Sequence, residues 1–205
     1  MKRLLTFSRA VDAFSTRVGR IVAWALLAAV VVSAVNAIIR KTLNTSSNSW
    51  LEVQWILFGA VFLLCSAWTL LSNEHIRIDI VNNALPKRVR DLIDVFGHLF
   101  FLIPVTIVMF YLGWPFFWRS LLQNEQSTNA GGLPVYPSKL LIPLAFTMLV
   151  LQGWSELIKR IAIMRGDLAD TTSGGGHHAA AEAEAQRVIE LAKEEAALRD
   201  AGQSH

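Results

Sequence analysis

From Val53 to Asn73 the chain runs for twenty-one residues without a charge, and most of them are apolar. As a helix rising about 1.5 Å per residue, such a run matches the roughly 30 Å hydrocarbon core of a bilayer. Its first turn holds Glu52 beside Trp50, and just beyond its far end stands a compact charged cluster, Glu74, His75, Arg77 and Asp79. Three further apolar runs follow the same rule, and together they predict four spans at about 21–39, 51–71, 95–117 and 140–158. The composition agrees: 53% of residues are hydrophobic and 17% charged, where a soluble domain carries about 25% charge. The expected fold is therefore an all-α membrane protein with four transmembrane helices.

The segments between the runs have their own patterns. In residues 1–20, Leu4, Phe7, Val11, Phe14 and Val18 recur at spacings of three and four, and Arg3, Arg9, Asp12 and Arg17 lie off that stripe. This predicts an N-terminal amphipathic helix in the headgroup plane. The first apolar run is longer than a signal-peptide core and is followed at once by Arg40 and Lys41, so it reads as a retained span. Along it, Ala25, Ala29, Ser33 and Ala37 repeat every four residues, a stripe of small side chains that admits a close helix neighbour. Pro86 opens a short amphipathic helix before the third span, with Val89, Leu92, Ile93 and Phe96 on its apolar side. Pro104 falls inside that span, and Pro143 is expected in the first turn of the fourth. The four-span domain covers residues 21–163. A flexible linker, 164–178, and a mostly solvated cytoplasmic helix, 179–205, rich in Ala, Glu, Leu and Lys, complete the chain.

Charge sets the expected orientation. Twelve lysines and arginines flank the spans on the side of the N-terminal segment, the 77–90 loop and the exit of the fourth span, against four on the other side: Arg40, Lys41, Arg119 and Lys139. The positive-inside rule then puts both termini in the cytoplasm. It also puts the 119–139 loop, with Arg119, Glu125 and Lys139, on the outer face.

The residues that chemistry would need are sparse. There is no nucleophile motif and no phosphate-binding glycine loop. The one cysteine, Cys65, has no partner for a disulfide, and no Cys or His spacing suits a metal. The middles of the spans carry no charge, where coupling carboxylates and proton relays sit. A net charge of +3 with the basic residues beside the spans is no nucleic-acid footprint. No enzyme activity and no cofactor in this chain are expected. One competing reading is a haem- or quinone-binding anchor of a redox complex, for which His75 and His98 are the ligand candidates. The charged cluster reads either as a solvated helix end or as a subunit contact.

Trp50 with Glu52, then His75-Ile76-Arg77-Ile78-Asp79, then Leu85-Pro86 and basic residues, and finally Pro137, Leu141, Ile142, Pro143, Phe146 and Leu151-Gln152, follow in an order that resembles a known family. It is the DctQ-like small permease subunit of tripartite ATP-independent periplasmic (TRAP) transporters, and the likeness covers about residues 10–163. The resemblance implies a subunit of the bacterial inner membrane. A large DctM-like permease would hold the substrate site and use the sodium gradient. A DctP-like periplasmic binding protein would deliver a solute, commonly a carboxylate. This chain would be the scaffold, touching membrane lipid, with Trp50, Glu52, Glu74, His75, Arg77, Asp79 and Pro143 as structural or subunit-contact residues. Arg119, Glu125 and Lys139 would belong to the docking loop. A small subunit of another tripartite carboxylate transporter is a further alternative.

Overall fold

The computed structural model describes residues 2–44, 47–72 and 86–168. Among them the order is α1 (Lys2–Thr42), α2 (Asn48–Leu64), α3 (Ser66–Leu71), α4 (Lys87–Gly97), a π-helical turn (His98–Leu102), α5 (Ile103–Leu122) and α6 (Tyr136–Met164). Four helical stretches are long and apolar enough to cross a membrane: Arg3–Thr42, Asn48–Leu71, Arg88–Leu122 and Tyr136–Met164. Helix α6 begins a turn before the expected fourth span, with Pro137 in its opening turn. Pro143 therefore lies inside the helix rather than at its start. The charged cluster Glu74–Asp79, the 77–85 part of the basic loop and the expected tail helix lie outside the described residues.

These helices do not form an even bundle. Helix α6 is the hub, packing against α1, α2, α3, α4, the π turn and α5, whereas α5 rests mainly on α6. Burial follows: 39% of the apolar window of α6 is buried, against 6–11% in the other three. Helix α6 carries the small and polar residues that let helices approach, including Ala145, Gln152, Gly153, Ser155 and Ala162, all buried. Pro143 is buried against Gly113, where α5 crosses α6.

The amphipathic start and the first span are one helix, 41 residues long, or about 60 Å. No proline interrupts it. The expected apolar stripe only partly matches the face that packs, with Val18 half-buried. Leu4, Phe7 and Phe14 are exposed, and Ser8, Val11 and Ser15 are buried. Helix α4 repeats the inversion: Val89, Leu92, Ile93 and Phe96 are exposed while Asp91 is buried. Apolar side chains gain nothing by leaving lipid for a protein interior, so small and polar groups are left to form the helix contacts.

The packing stripe of α1 has period seven. Ser8, Ser15, Ala29 and Asn36 are buried, with Val22 half-buried between them. Seven-residue spacing keeps a helix facing its neighbour along a left-handed crossing. The four-residue stripe drifts by about 40° per step relative to the helix axis. Ala29 is accordingly fully buried, Ala25 and Ser33 are half-buried, and Ala37 is exposed. Gly19 marks the closest approach: a Cβ there would lie 2.7 Å from Cε3 of Trp68.

One irregularity has a local cause. Pro104 lacks an N–H for the carbonyl four residues back, and the π turn directly before α5 widens the helix there. At Cys65 the second span passes from α2 to α3 without losing its ladder: the Cys65 N–H reaches the Val61 carbonyl at 3.0 Å and the Thr69 N–H the Cys65 carbonyl at 2.9 Å.

Candidate functional site

Polar groups gather at the two ends of the helices. We call the end where α1 begins and α6 finishes the near face, and the end bearing the 123–135 loop the far face.

At the near face, residues more than 130 positions apart in sequence meet. The Ser15 hydroxyl donates to Gln152 Oε1 at 2.8 Å. Gln152 Nε2 donates to Asp12 Oδ1 and to Glu156 Oε1, both at 2.9 Å. The Ser155 hydroxyl donates to Asp12 Oδ1 at 2.9 Å and lies 2.6 Å from the Ser8 hydroxyl. Lys159 closes the set, 3.1 Å from Asp12 Oδ2 and 2.6 Å from Glu156 Oε1. Beside it, Arg160 spans two carboxylates of α4, Asp91 at 3.1 Å and Asp94 at 2.5 Å. Gln152, Ser155, Ser8 and Ser15 are almost wholly inaccessible. The charged members are partly shielded and the neutral ones buried, so an unpaired member would be costly and a satisfied set favours one register of α1 and α4 on α6.

At the far face, Glu52 anchors the loop. Its Oε2 accepts from the Leu133 N–H at 2.6 Å, and its Oε1 accepts from Asn129 Nδ2 at 2.8 Å and from the Ser127 hydroxyl. Asn48 Nδ2 donates to the Ala130 carbonyl at 3.0 Å, and the Ser49 hydroxyl to that of Gly131. The loop itself closes as a narrow hairpin, with Ser127 N–H to Leu133 carbonyl at 3.0 Å and Val135 N–H to Glu125 carbonyl at 2.9 Å. Gly131 has φ +69°, and a Cβ on Gly132 would stand 2.8 Å from Glu52 Oε1. The Gly131-Gly132 pair is thus what lets the backbone turn and close on the carboxylate.

Lys139 makes an ion pair with Glu125 and lies 4.2 Å over the Phe116 ring. That hydrogen bond from Lys139 holds the Glu125 carboxyl below its ordinary value. A lowered value means that the charged form is favoured by folding. The tether is fully present above the ordinary glutamate range and is lost as pH falls through the lowered folded value. The melting temperature of the purified protein is expected to fall on strong acidification, and Glu125→Gln is expected to reduce that fall by the share the Glu125–Lys139 tether contributes. Equal acid sensitivity in wild type and variant would contradict it.

Of the residues singled out from sequence, Glu52 sits among its loop partners, and Glu125 and Lys139 are joined. Arg119 lies on the neighbouring face of α5, and Trp50 is exposed on α2 near the same end. Pro143 belongs to the α5–α6 crossing rather than to either polar set. His98 Nδ1 is 2.7 Å from the Asp94 carbonyl, and His75 lies outside the described residues. No group of three His, Cys, Asp or Glu suited to a metal occurs among the described residues. Sequence reading missed the near-face set. Ser8, Asp12 and Ser15 at spacings of four and three were its signal, a polar stripe facing Gln152.

Four apolar helices tied at both ends by polar contacts define a multi-pass membrane protein. The family model described as tripartite ATP-independent periplasmic transporters, DctQ component, matches residues 29–162. The chain belongs to this family, a transporter component and not an enzyme family, and so is a small subunit of a TRAP transporter. Neither the curated proteins nor the solved structures include a match to it.

Proposed function

We propose that the chain is the fixed scaffold of a TRAP importer for carboxylate-bearing solutes. It lies in the bacterial inner membrane with the near face cytoplasmic and the far face periplasmic. The observation that carries this reading is where the polar groups are used. Apart from the Gln152–Glu156–Lys159 contacts within α6, every charged tie described above joins one helix of this chain to another helix or loop of the same chain, at the two ends. The middles of the spans have no charge with which to bind or couple a solute. A body braced in this way suits a part that stays still while a partner moves. Substrate selection and use of the sodium gradient then belong to a large DctM-like permease. The Glu52-anchored loop offers a fixed surface for a DctP-like binding protein, and the excess of basic residues beside the near face supports the orientation.

The test is co-purification with an affinity-tagged chain in mild detergent. A large multi-span permease is expected to accompany it, and deletion of the chain is expected to abolish solute uptake. Reversing the charges of Arg77 and Asp79 is expected to reduce recovery of that permease while leaving membrane insertion unchanged. A chain that purifies alone, with uptake intact in its absence, would overturn the proposal.

A further inference from the structure

A cavity of about 600 Å³ opens on the side of α5 at the far face. One half of it is apolar, walled by Tyr111, Leu112, Pro115 and Phe116. The other half is polar and contains Arg119, Gln123 and the Glu125–Lys139 pair. These halves are ordered along the helix. Leu112, Pro115, Arg119 and Gln123 follow at spacings of three and four, so one face of α5 changes from apolar to cationic over three turns. Helix α5 packs mainly on α6, and Tyr111 and Leu112 are exposed at 73% and 59%.

The charges in the polar half are not equivalent. Lys139 is occupied by Glu125 and by the Phe116 ring. Arg119 is exposed and makes no ion pair among the described residues. With Arg119, Lys139 and Glu125 counted together, the rim carries one net positive charge. A guanidinium is suited to a phosphate by its fork of donors. The level also fits: Trp114 and Trp118, on the same turns of α5, are exposed aromatics of the kind that mark the membrane–water boundary.

We propose that this cavity is a binding site for one glycerophospholipid, its phosphate on Arg119 and Gln123 and the start of an acyl chain against Leu112, Pro115 and Phe116. A free phosphate would satisfy Arg119 and leave the apolar half wet, whereas a phospholipid fills both halves. A monoanionic phosphodiester also matches the single net charge of the rim. The proposal rests on α5 being a membrane span and does not depend on the transported solute or on which face is periplasmic.

Native mass spectrometry tests it. The full chain, with the subunits that co-purify with it, is delipidated in maltoside detergent and titrated with phosphatidylglycerol. One tightly held lipid is expected. Arg119→Gln is expected to weaken it about tenfold, as the loss of one charge-assisted contact implies. Arg119→Lys, which keeps the charge and loses the fork, is expected to bind between wild type and Arg119→Gln, and Leu112→Trp, which fills the apolar half, to expel the lipid. Inorganic phosphate in excess is expected not to displace it. Unchanged affinity in Arg119→Gln, indifference to Leu112→Trp, or displacement by inorganic phosphate would each overturn the assignment. The same holds if a partner subunit covers Arg119 and no lipid is retained.

Discussion

Gln152→Leu is expected to lower the unfolding free energy of the isolated protein by about 2 kcal/mol. Three hydrogen bonds of the Gln152 amide disappear together, to Ser15, Asp12 and Glu156. Hydrogen bonds between membrane helices average roughly 0.6 kcal/mol in double-mutant cycles, which gives that sum. Leucine is close to glutamine in size, so no cavity contributes. Asp12 keeps Ser155 and Lys159, and Glu156 keeps Lys159, so the charges stay paired. The Ser15 hydroxyl alone is stranded. This yields an internal check. In a Ser15→Ala, Gln152→Leu pair, the double variant should cost clearly less than the sum of the two singles, because they share one bond. Strict additivity in a denaturant titration would show that the Ser15–Gln152 contact does not hold α1 on α6.

Glu52→Gln is expected to leave global stability almost unchanged and to release the far-face loop. The new amide presents a second donor to the Leu133 N–H, or else turns its donor toward Ser127 and Asn129. In neither orientation can it accept all three bonds that the carboxylate accepts. Hydrogen exchange at the Leu133 amide is expected to rise by roughly tenfold or more, the effect of losing one charge-assisted bond. Gly132→Ala should produce the same opening from the opposite side. Its Cβ would sit 2.5 Å from Ser127 Cβ and 2.8 Å from Glu52 Oε1. Unaltered exchange in both variants would mean that the loop is held without Glu52. If the far face docks a binding protein, both variants should also reduce uptake while the subunits still assemble.

These two sites differ in how far the sequence announced them. Glu52 stood out because it is a charge at the mouth of an apolar run, beside Trp50. Its partners did not: Ser127, Asn129 and the Leu133 amide lie in a turn-rich loop where any polar residue is ordinary. Gln152 and the serines of α1 drew less notice because uncharged polar residues in a span are common. Ser8 and Ser15 stand among the bulkier Leu4, Phe7 and Phe14, which dominate the pattern. That stripe is a poor guide to packing, since Leu4, Phe7 and Phe14 are exposed and only Val11 is buried.

The sequence by itself determined that four runs are long and apolar enough to cross a membrane, and the expected orientation. Each of these depends on local sums, the apolar length of a run and the count of charges beside it. Family membership was legible for a similar reason, through motifs placed at fixed points along the runs. Only the tertiary structure decided that α6 is the hub and that α1 is one continuous helix. It also decided that α1 and α4 dock by their polar faces, and that Glu52 closes the far-face loop. Lipid and protein interior are equally apolar, so in a membrane span hydrophobicity does not say which side of a helix faces its neighbours. That is settled by which small and polar groups meet at the helix crossings, and those meetings join residues far apart in the chain.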